Sequence, residues 1–250
     1  MLNLLIIIIL SVNFVSASMV EKSFIYDDVK RSYLEFIPSN HNSKAPINLV
    51  IGLHGYSGSA SGFEKETTGM FNKSAEKYEF IAIYPQGEYF YNDANKDYSF
   101  ISSWNAFPNK KPNKEFCSLD AVIYPKYPNC ENSNRCSWTS CSDDLGFVKK
   151  IIDISKENYL IDKVFVIGIS NGGMMAQALA CKYPNIFSGV INVVGMQPLG
   201  ASCIPEIPVN FIIYGGALDM VTPPISIQSY DGYFYEPMDK TFNSWSDKFK

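Results

Sequence analysis

The stretch that decides the fold is "VFVIGISNGGMMAQALACKYP", which runs from Val164 to Pro184. An apolar run typical of a buried strand leads into the pentapeptide GISNG (168–172), and a segment of helical composition follows. This pentapeptide fits the G-x-S-x-G pattern of a nucleophile elbow. The bare pattern arises by chance in about one chain in ten of this length, so it also fits an ordinary glycine-rich turn. Its position between a strand and a helix makes Ser170 a candidate nucleophile.

The elbow predicts a local geometry around Ser170. Glycine is expected at Gly168 and Gly172 because a side chain at either position would clash in so sharp a turn. The amino terminus of the following helix directs N–H groups toward the place where negative charge develops during acyl transfer. We therefore predict that the backbone N–H of Asn171 is one donor of an oxyanion hole.

A second oxyanion donor is expected in the loop after an early strand. The segment "LVIGLHGYSGSASGF" (49–63) has this form, and the N–H of Tyr56 is the candidate donor. His54, in the same loop, is predicted to be structural, with its ring tying the loop to neighbouring backbone; the alternative is a catalytic role. His41 lies in a polar loop and is predicted to be solvated.

A carboxylate that orients the catalytic base should follow a later strand. In "VNFIIYGGALDMVTPP" (209–224) a strand and a glycine turn precede Asp219, which is the candidate. The alternative is an aspartate in a surface turn.

Strands and helices are predicted to alternate along the chain, which favours a mostly parallel sheet with helices on both faces. Short apolar runs predict strands at 32–37, 47–53, 80–84, 164–169, 189–194 and 209–214. Helical periodicity predicts helices at 63–77, 143–158 and 171–182, the second capped by Ser142 or Asp143.

Four segments in order, "LHGYSGSASGF", "SDDLGFVKKIID", "GISNGGMMAQALACKYPNIFSGV" and "YGGALDMVTP", resemble the secreted serine esterases of the polyhydroxybutyrate depolymerase-like and feruloyl esterase-like kind. These are carbohydrate esterase relatives with an α/β-hydrolase fold, and the resemblance covers about residues 47–224. It implies hydrolysis of esters in plant cell-wall polysaccharide or polyester, without a metal or cofactor. By the resemblance Ser170 is the nucleophile and Asp219 the acid, while Asp143, Asp144 and Gly146 form a structural helix start.

The chain departs from this family in its histidines. The family carries a catalytic histidine beyond the aspartate, whereas no histidine follows His54 here. Met238, Phe242, Trp245 and Phe249 are predicted to form one apolar helical stripe. We therefore expect one α/β-hydrolase domain that lacks its C-terminal strand and helix. Three explanations stay open: a truncated fragment of an active esterase whose activity returns when the C-terminus is restored, a non-catalytic relative that binds carbohydrate or another ligand, or another base with His54 as the near candidate. A peptidase on the same fold would share these residues.

The composition limits the possible functions. The 250 residues carry a formal net charge of −4, which gives no basic surface for nucleic acid.

Residues 1–17 resemble a signal peptide, with an uncleaved anchor as the alternative, so we expect a secreted domain over 18–250 with no membrane contact after cleavage. The oligomeric state is left open.

The six cysteines all lie after the predicted signal peptide, which favours disulfide bonds. Four of them fall in a cysteine-rich insertion predicted over about 88–141: Cys117, Cys130, Cys136 and Cys141. We expect the segment from Cys117 to Cys141 to be held by disulfides and to border the active site. A zinc knot of these four is the alternative, although their spacing lacks the paired C-x₂-C form.

Overall fold

A computed structural model describes residues 17–92, 99–107, 142–199, 202–230, 232 and 234–250. The predicted signal peptide, apart from Ala17, and the four cysteines of the predicted insertion lie outside the described residues. None of the described helices is long and apolar enough to cross a membrane.

The described strands are β1 (Ser18–Tyr26), β2 (Val29–Ile37), β3 (Ile47–Leu53), β4 (Phe80–Pro85), β5 (Glu88–Asn92), β6 (Ser99–Ser103), β7 (Ile161–Ile169), β8 (Phe187–Val193) and β9 (Phe211–Tyr214). The described helices are α1 (Ala60–Glu66), α2 (Met70–Tyr78), α3 (Asp144–Asn158), α4 (Asn171–Lys182) and α5 (Met238–Lys248).

Seven of these strands form one sheet in the order β1-β2-β4-β3-β7-β8-β9. The neighbouring strands β4, β3, β7, β8 and β9 pair in parallel. At one edge of the sheet, β2 pairs antiparallel with both β1 and β4. The carboxyl ends of β3, β7, β8 and β9 therefore lie side by side, and the loops that leave them share one edge of the sheet. This is the edge where ligands bind in open parallel sheets.

Helices cover both faces of the sheet, as predicted. Along β7, Val164 and Val166 are buried in a large cluster with residues of α3 and α4, while Ile167 and Ile169 pack against a second cluster with Phe63 of α1. This alternation follows from the two-residue period of a strand, which directs successive side chains to opposite faces.

Two predicted elements differ from the structure. The helix predicted over 63–77 is broken into α1 and α2, because Thr68 and Gly69 adopt left-handed conformations with φ of 54° and 70°. The segment predicted as an irregular insertion from residue 88 begins with the antiparallel hairpin of β5 and β6. Strand β1 was not predicted from the sequence.

The predicted apolar stripe of α5 is only partly correct. Trp245 is buried, its ring stacks on Phe211 at 4.2 Å between centroids, and its indole N–H donates to the Cys203 carbonyl at 2.7 Å. Phe242 is instead 54% exposed, and Thr241 is the buried neighbour. Within the described residues no strand lies beyond β9 in the sheet.

Disulfide bonds were predicted without a pairing, and one pair can be assigned among the described residues. Cys181, near the end of α4, is bonded to Cys203 in the segment before β9. The bridge therefore joins the helix that follows Ser170 to the part of the chain that leads to Asp219.

A buried ion pair fixes the start of α3. Asp143 caps the helix by accepting the Gly146 N–H at 3.0 Å, as predicted. The neighbouring Asp144 is fully buried and accepts from the Arg31 guanidinium at 2.6 Å and from the Asn105 N–H at 2.7 Å. Its carboxylate thus joins β2, α3 and the segment after β6.

Replacing Arg31 should therefore destabilise the fold strongly. We expect Arg31→Met to lower the free energy of unfolding by about 3–5 kcal/mol, because it leaves the Asp144 carboxylate buried without its cation. Breaking the half-exposed Lys149–Asp153 pair on the same helix with Lys149→Met should cost below about 1 kcal/mol. Chemical denaturation of both variants checks this, and equal losses would refute the structural importance of the buried pair.

Candidate active site

Ser170 lies at a sharp turn between β7 and α4. Its backbone adopts φ 55° and ψ −122°, a conformation that a residue with a side chain rarely adopts. The turn is held on both sides: the Ser170 N–H donates to the Val193 carbonyl at 2.8 Å, and the Ser170 carbonyl accepts the Met174 N–H at 3.0 Å. The local geometry is that of a strand–turn–helix elbow.

The Ser170 hydroxyl is not used to cap the helix. A serine at the N-cap normally accepts an N–H of the first helical turn, but Ser170 makes no such bond. Among the residues that the structure describes, none hydrogen-bonds to its hydroxyl, and the residue is partly exposed. The side chain is therefore directed away from its own helix and is accessible.

The two flanking glycines allow β7 and α4 to approach closely. A Cβ atom on Gly168 would lie 1.9 Å from the Gly172 carbonyl oxygen, and one on Gly172 would lie 2.2 Å from the Leu53 carbonyl oxygen. Both neighbours are backbone atoms that cannot move aside. The ends of β3 and β7 and the start of α4 are thus in direct backbone contact, which is the steric reason that the sequence indicated for these glycines.

The loop after β3 lies against Ser170. A Cβ atom on Gly55 would lie 3.4 Å from the Ser170 Cβ and 4.0 Å from its Oγ. The loop forms a tight turn, because Ser57 has a φ of 60° and the Gly58 N–H donates to the Gly55 carbonyl at 3.0 Å. Tyr56 lies within this turn. The structure therefore places the two predicted oxyanion donors on the two segments that adjoin Ser170.

His54 is fully buried, and both of its ring nitrogens are used. Nε2 accepts the Gly87 N–H at 3.0 Å, so Nδ1 carries the proton and donates to the Gly55 carbonyl at 2.7 Å. Its ring packs on Trp104 at 4.8 Å between centroids. Burial lowers the pKa of His54 to about 4, and the hydrogen bond to Gly55 and the charge of Asp144 only partly oppose this. The prediction of a structural His54 is confirmed.

The other histidine is far from the elbow. His41 was predicted to be solvated, but it is half-buried with its ring edge against Tyr159 at 5.7 Å. Tyr159 precedes β7 and Ser170 follows it. At about 3.3 Å per residue, the nine residues of this strand separate the two by about 30 Å. Neither histidine of the sequence is positioned to take a proton from Ser170.

Asp219 lies at the same edge of the sheet, in the loop after β9. Its Oδ1 accepts the N–H groups of Val221 and Thr222 at 2.8 and 3.0 Å, and its Oδ2 is 3.2 Å from the Thr222 hydroxyl. That hydroxyl donates to the Val194 carbonyl at 2.6 Å. The Asp219 loop is thus fixed to the end of β8, next to the carbonyl that holds Ser170. A carboxylate offers about four acceptor positions and these contacts use at most three, so at least one more N–H can still be bound.

Three residues of this site were not predicted from the sequence. Val194 has a φ of 49°, which is unusual for a β-branched residue, and its carbonyl holds Thr222. Thr222 is the second, and its spacing of three residues from Asp219 in "DMVT" is the local signal of the turn that both residues form. Trp104 comes from a distant part of the chain, and its contact with His54 has no local sequence signal.

The comparisons with known proteins give esterases as relatives. Poly(3-hydroxyalkanoate) depolymerase C of Paucimonas lemoignei is 32% identical over 83 residues, which are 30% of this chain and 20% of that protein. Probable acetylxylan esterase A of Aspergillus fumigatus is 28% identical over 155 residues, 61% of this chain and 31% of the relative. Feruloyl esterase B of Neurospora crassa is 37% identical over 73 residues, 26% and 25% of the two chains.

The matched segments thus span about a fifth to a third of the lengths of these relatives. No known protein-family model matches the chain. Among solved structures, a thermostable esterase superposes with a TM-score of 0.53 at 19% identity, over 82% of this chain and 48% of that one. The chain has the α/β-hydrolase fold, and the predicted resemblance to depolymerases and feruloyl esterases is confirmed.

The elbow glycines should tolerate no side chain. We expect Gly168→Ala to lower the free energy of unfolding by more than about 3 kcal/mol, because the added methyl group meets backbone that cannot relax. Gly216→Ala is the matched control, since its Cβ would lie at an ordinary 3.7 Å from the Asp219 Cβ, and should change stability by about 0.5 kcal/mol or less. A Gly168→Ala protein as stable as the control would contradict the close contact of β7 and α4.

The buried His54 predicts a pH dependence of stability. Its folded-state pKa of about 4 lies below the usual 6.5, so its contribution is complete above pH 6.5 and is lost as the pH falls toward 4. We expect this to remove about 3 kcal/mol of the free energy of unfolding over that range. His54→Gln should remove most of this change of the free energy of unfolding with pH. Denaturation at several pH values checks this, and the same slope in the His54→Gln protein would refute the assignment.

Proposed function

We propose that this protein is a serine hydrolase of carboxylic esters that acts through an acyl-enzyme intermediate. The observation that carries the proposal is the conformation of Ser170: a strained residue between β7 and α4 whose hydroxyl does not cap its helix. A strained conformation persists only where the surrounding structure enforces it, and such residues cluster at active sites. The esterase names of the relatives support the same reaction class.

In the proposed reaction, the Ser170 Oγ attacks the ester carbonyl carbon and its proton passes to a base. The carbonyl oxygen becomes negatively charged, and the N–H groups of Tyr56 and Asn171 stabilise it. The alcohol leaves with a proton, and water then releases the acid from Ser170. Asp219 is proposed to orient the base and to stabilise its protonated form. Neither His54 nor His41 is positioned to serve as this base.

The proposed substrates are esters of plant polysaccharide, such as acetyl or feruloyl esters, or a polyester. An apolar acyl group in the substrate is favoured by the loop that carries Asp219. Its apolar side chains Leu218, Met220 and Val221 are 93%, 47% and 48% exposed. Exposed apolar side chains next to a reactive group are typical of a binding surface. A secreted location is proposed from the sequence of residues 1–17 alone.

A second candidate function is binding of such an ester without turnover. The position of the histidines favours it, because His54 is fully engaged in structure and His41 packs on Tyr159 at the opposite end of β7. The two candidates differ in one respect: only the hydrolase requires that Ser170 react.

The reactivity of Ser170 can be measured with the purified chain and a fluorophosphonate probe. We expect slow labelling alone and labelling at least about tenfold faster with added imidazole, because a serine hydroxyl needs a neighbouring base to become a good nucleophile. Intact mass and peptide mapping should place the adduct on Ser170. The acyl transfer itself is followed with methyl ferulate and p-nitrophenyl butyrate under the same conditions.

Ser170→Ala is the control, and it should abolish both labelling and turnover above the rate of imidazole alone. Asp219→Asn should keep the adduct site and lower the rate. A folded parent chain that stays unlabelled with imidazole would refute the hydrolase and leave the binding function. An adduct on any residue other than Ser170 would refute the proposed nucleophile.

A further inference from the structure

Three consecutive residues lie between the elbow and the loop after β3: Ser102, Ser103 and Trp104, which we call the bracket. Ser102 and Ser103 end strand β6 and Trp104 follows directly, and the three are buried with exposures of 1%, 0% and 0%. The bracket makes hydrogen bonds in two directions. One set reaches Asn171 on α4, and the other reaches the loop over 54–58.

The first set involves the side chain of Asn171, which is 1% exposed. Its Oδ1 accepts the Trp104 N–H at 2.7 Å and the Ser103 hydroxyl at 3.2 Å, and its Nδ2 donates to the Trp104 carbonyl at 3.2 Å. The amide thus pairs with both polar groups of one backbone residue. Such a two-sided contact fixes position and orientation together.

The second set holds the loop after β3. The Trp104 indole N–H donates to the His54 carbonyl at 2.8 Å, and the Ser102 carbonyl accepts the Ser57 N–H at 2.8 Å. The Ser102 hydroxyl also donates to the Gly58 carbonyl. The loop is therefore bound to the bracket at its beginning, in its middle and at its end, on both sides of Tyr56.

We propose that the Asn171 side chain is a positioning group that sets, through the bracket, the distance between the two oxyanion donors. This inference rests on the proposed function. Asn171 supplies one donor through its own N–H. Its side chain binds the bracket, which in turn binds the loop that carries Tyr56, the other donor. One residue thereby couples α4 to the loop after β3. A donor that is displaced by about 1 Å can cost about a hundredfold in rate, so this coupling matters to the chemistry.

Hydrogen exchange of the full chain tests the coupling without any turnover. We expect Asn171→Ala to speed exchange of the Ser57 and Gly58 amides by about tenfold or more, because the bracket is released on one side. Trp104→Phe, which keeps a packed ring and removes only the indole donor, should do the same. Gln177→Ala is the matched control: Gln177 is equally buried on α4 but bonds to Asn192 instead of the bracket, and its variant should leave these two amides unchanged.

The probe kinetics with imidazole separate positioning from a purely structural role. We expect Asn171→Ala to lower the maximal labelling rate of Ser170 by about 10- to 100-fold and Trp104→Phe by about tenfold, with the half-saturating probe concentration unchanged within about twofold. The double variant should be no slower than about the slower single variant, because both changes release the same bracket. Gln177→Ala should keep the parent rate at temperatures where it is folded.

The outcomes are distinct. Unchanged exchange at Ser57 and Gly58 in both variants would overturn the coupling, whether or not Ser170 reacts. A labelling rate that falls no further than in the Gln177→Ala protein, or effects of the two variants that simply multiply, would also overturn it. A parent chain with an unreactive Ser170 would refute the proposed function instead, and the exchange result would still decide the coupling.

Discussion

The backbone contact between β7 and α4 is the constraint on which the rest of the site depends. Gly168 and Gly172 meet without side chains, so the chain reverses from strand to helix within one residue. Ser170 must then adopt a φ of 55°, and this strain is held by hydrogen bonds to Val193 and from Met174. The Ser170 hydroxyl is therefore turned away from α4, which a serine at this position would otherwise cap.

Buried polar groups join the site to the core in addition to apolar packing. The Asp144 carboxylate binds Arg31 on one side and the Asn105 N–H on the other. Asn105 directly follows Trp104, so the ion pair also holds the end of the bracket. Buried ion pairs add little stability over apolar residues of the same shape, but they fix one arrangement, because each partner is costly to leave alone. We infer that Arg31 and Asp144 hold the segment after β6 in one position along the chain.

The sequence predicted those structural features that are determined by a few neighbouring residues. The elbow, the strand before it, the helix after it and the Asp143 cap of α3 each depend on a few neighbouring residues, and the structure has them. The break between α1 and α2 was missed because two residues, Thr68 and Gly69, outweigh a helical pattern. The bracket could not be predicted, because its partners in the loop after β3 and on α4 are about 50 and 70 residues away and only the fold brings them together. His41 was misjudged for the same reason, since its contact with Tyr159 is equally non-local.

In the proposed reaction, Ser170 and the N–H groups of Tyr56 and Asn171 form one reaction centre. This can be tested with a crystal structure of the chain after reaction with diethyl p-nitrophenyl phosphate, which leaves a tetrahedral phosphoryl group on a reactive serine. We expect an adduct on Ser170 with one phosphoryl oxygen about 2.7–3.1 Å from both backbone nitrogens. An adduct whose oxygen contacts neither nitrogen, or a chain that carries no adduct on Ser170, would contradict it.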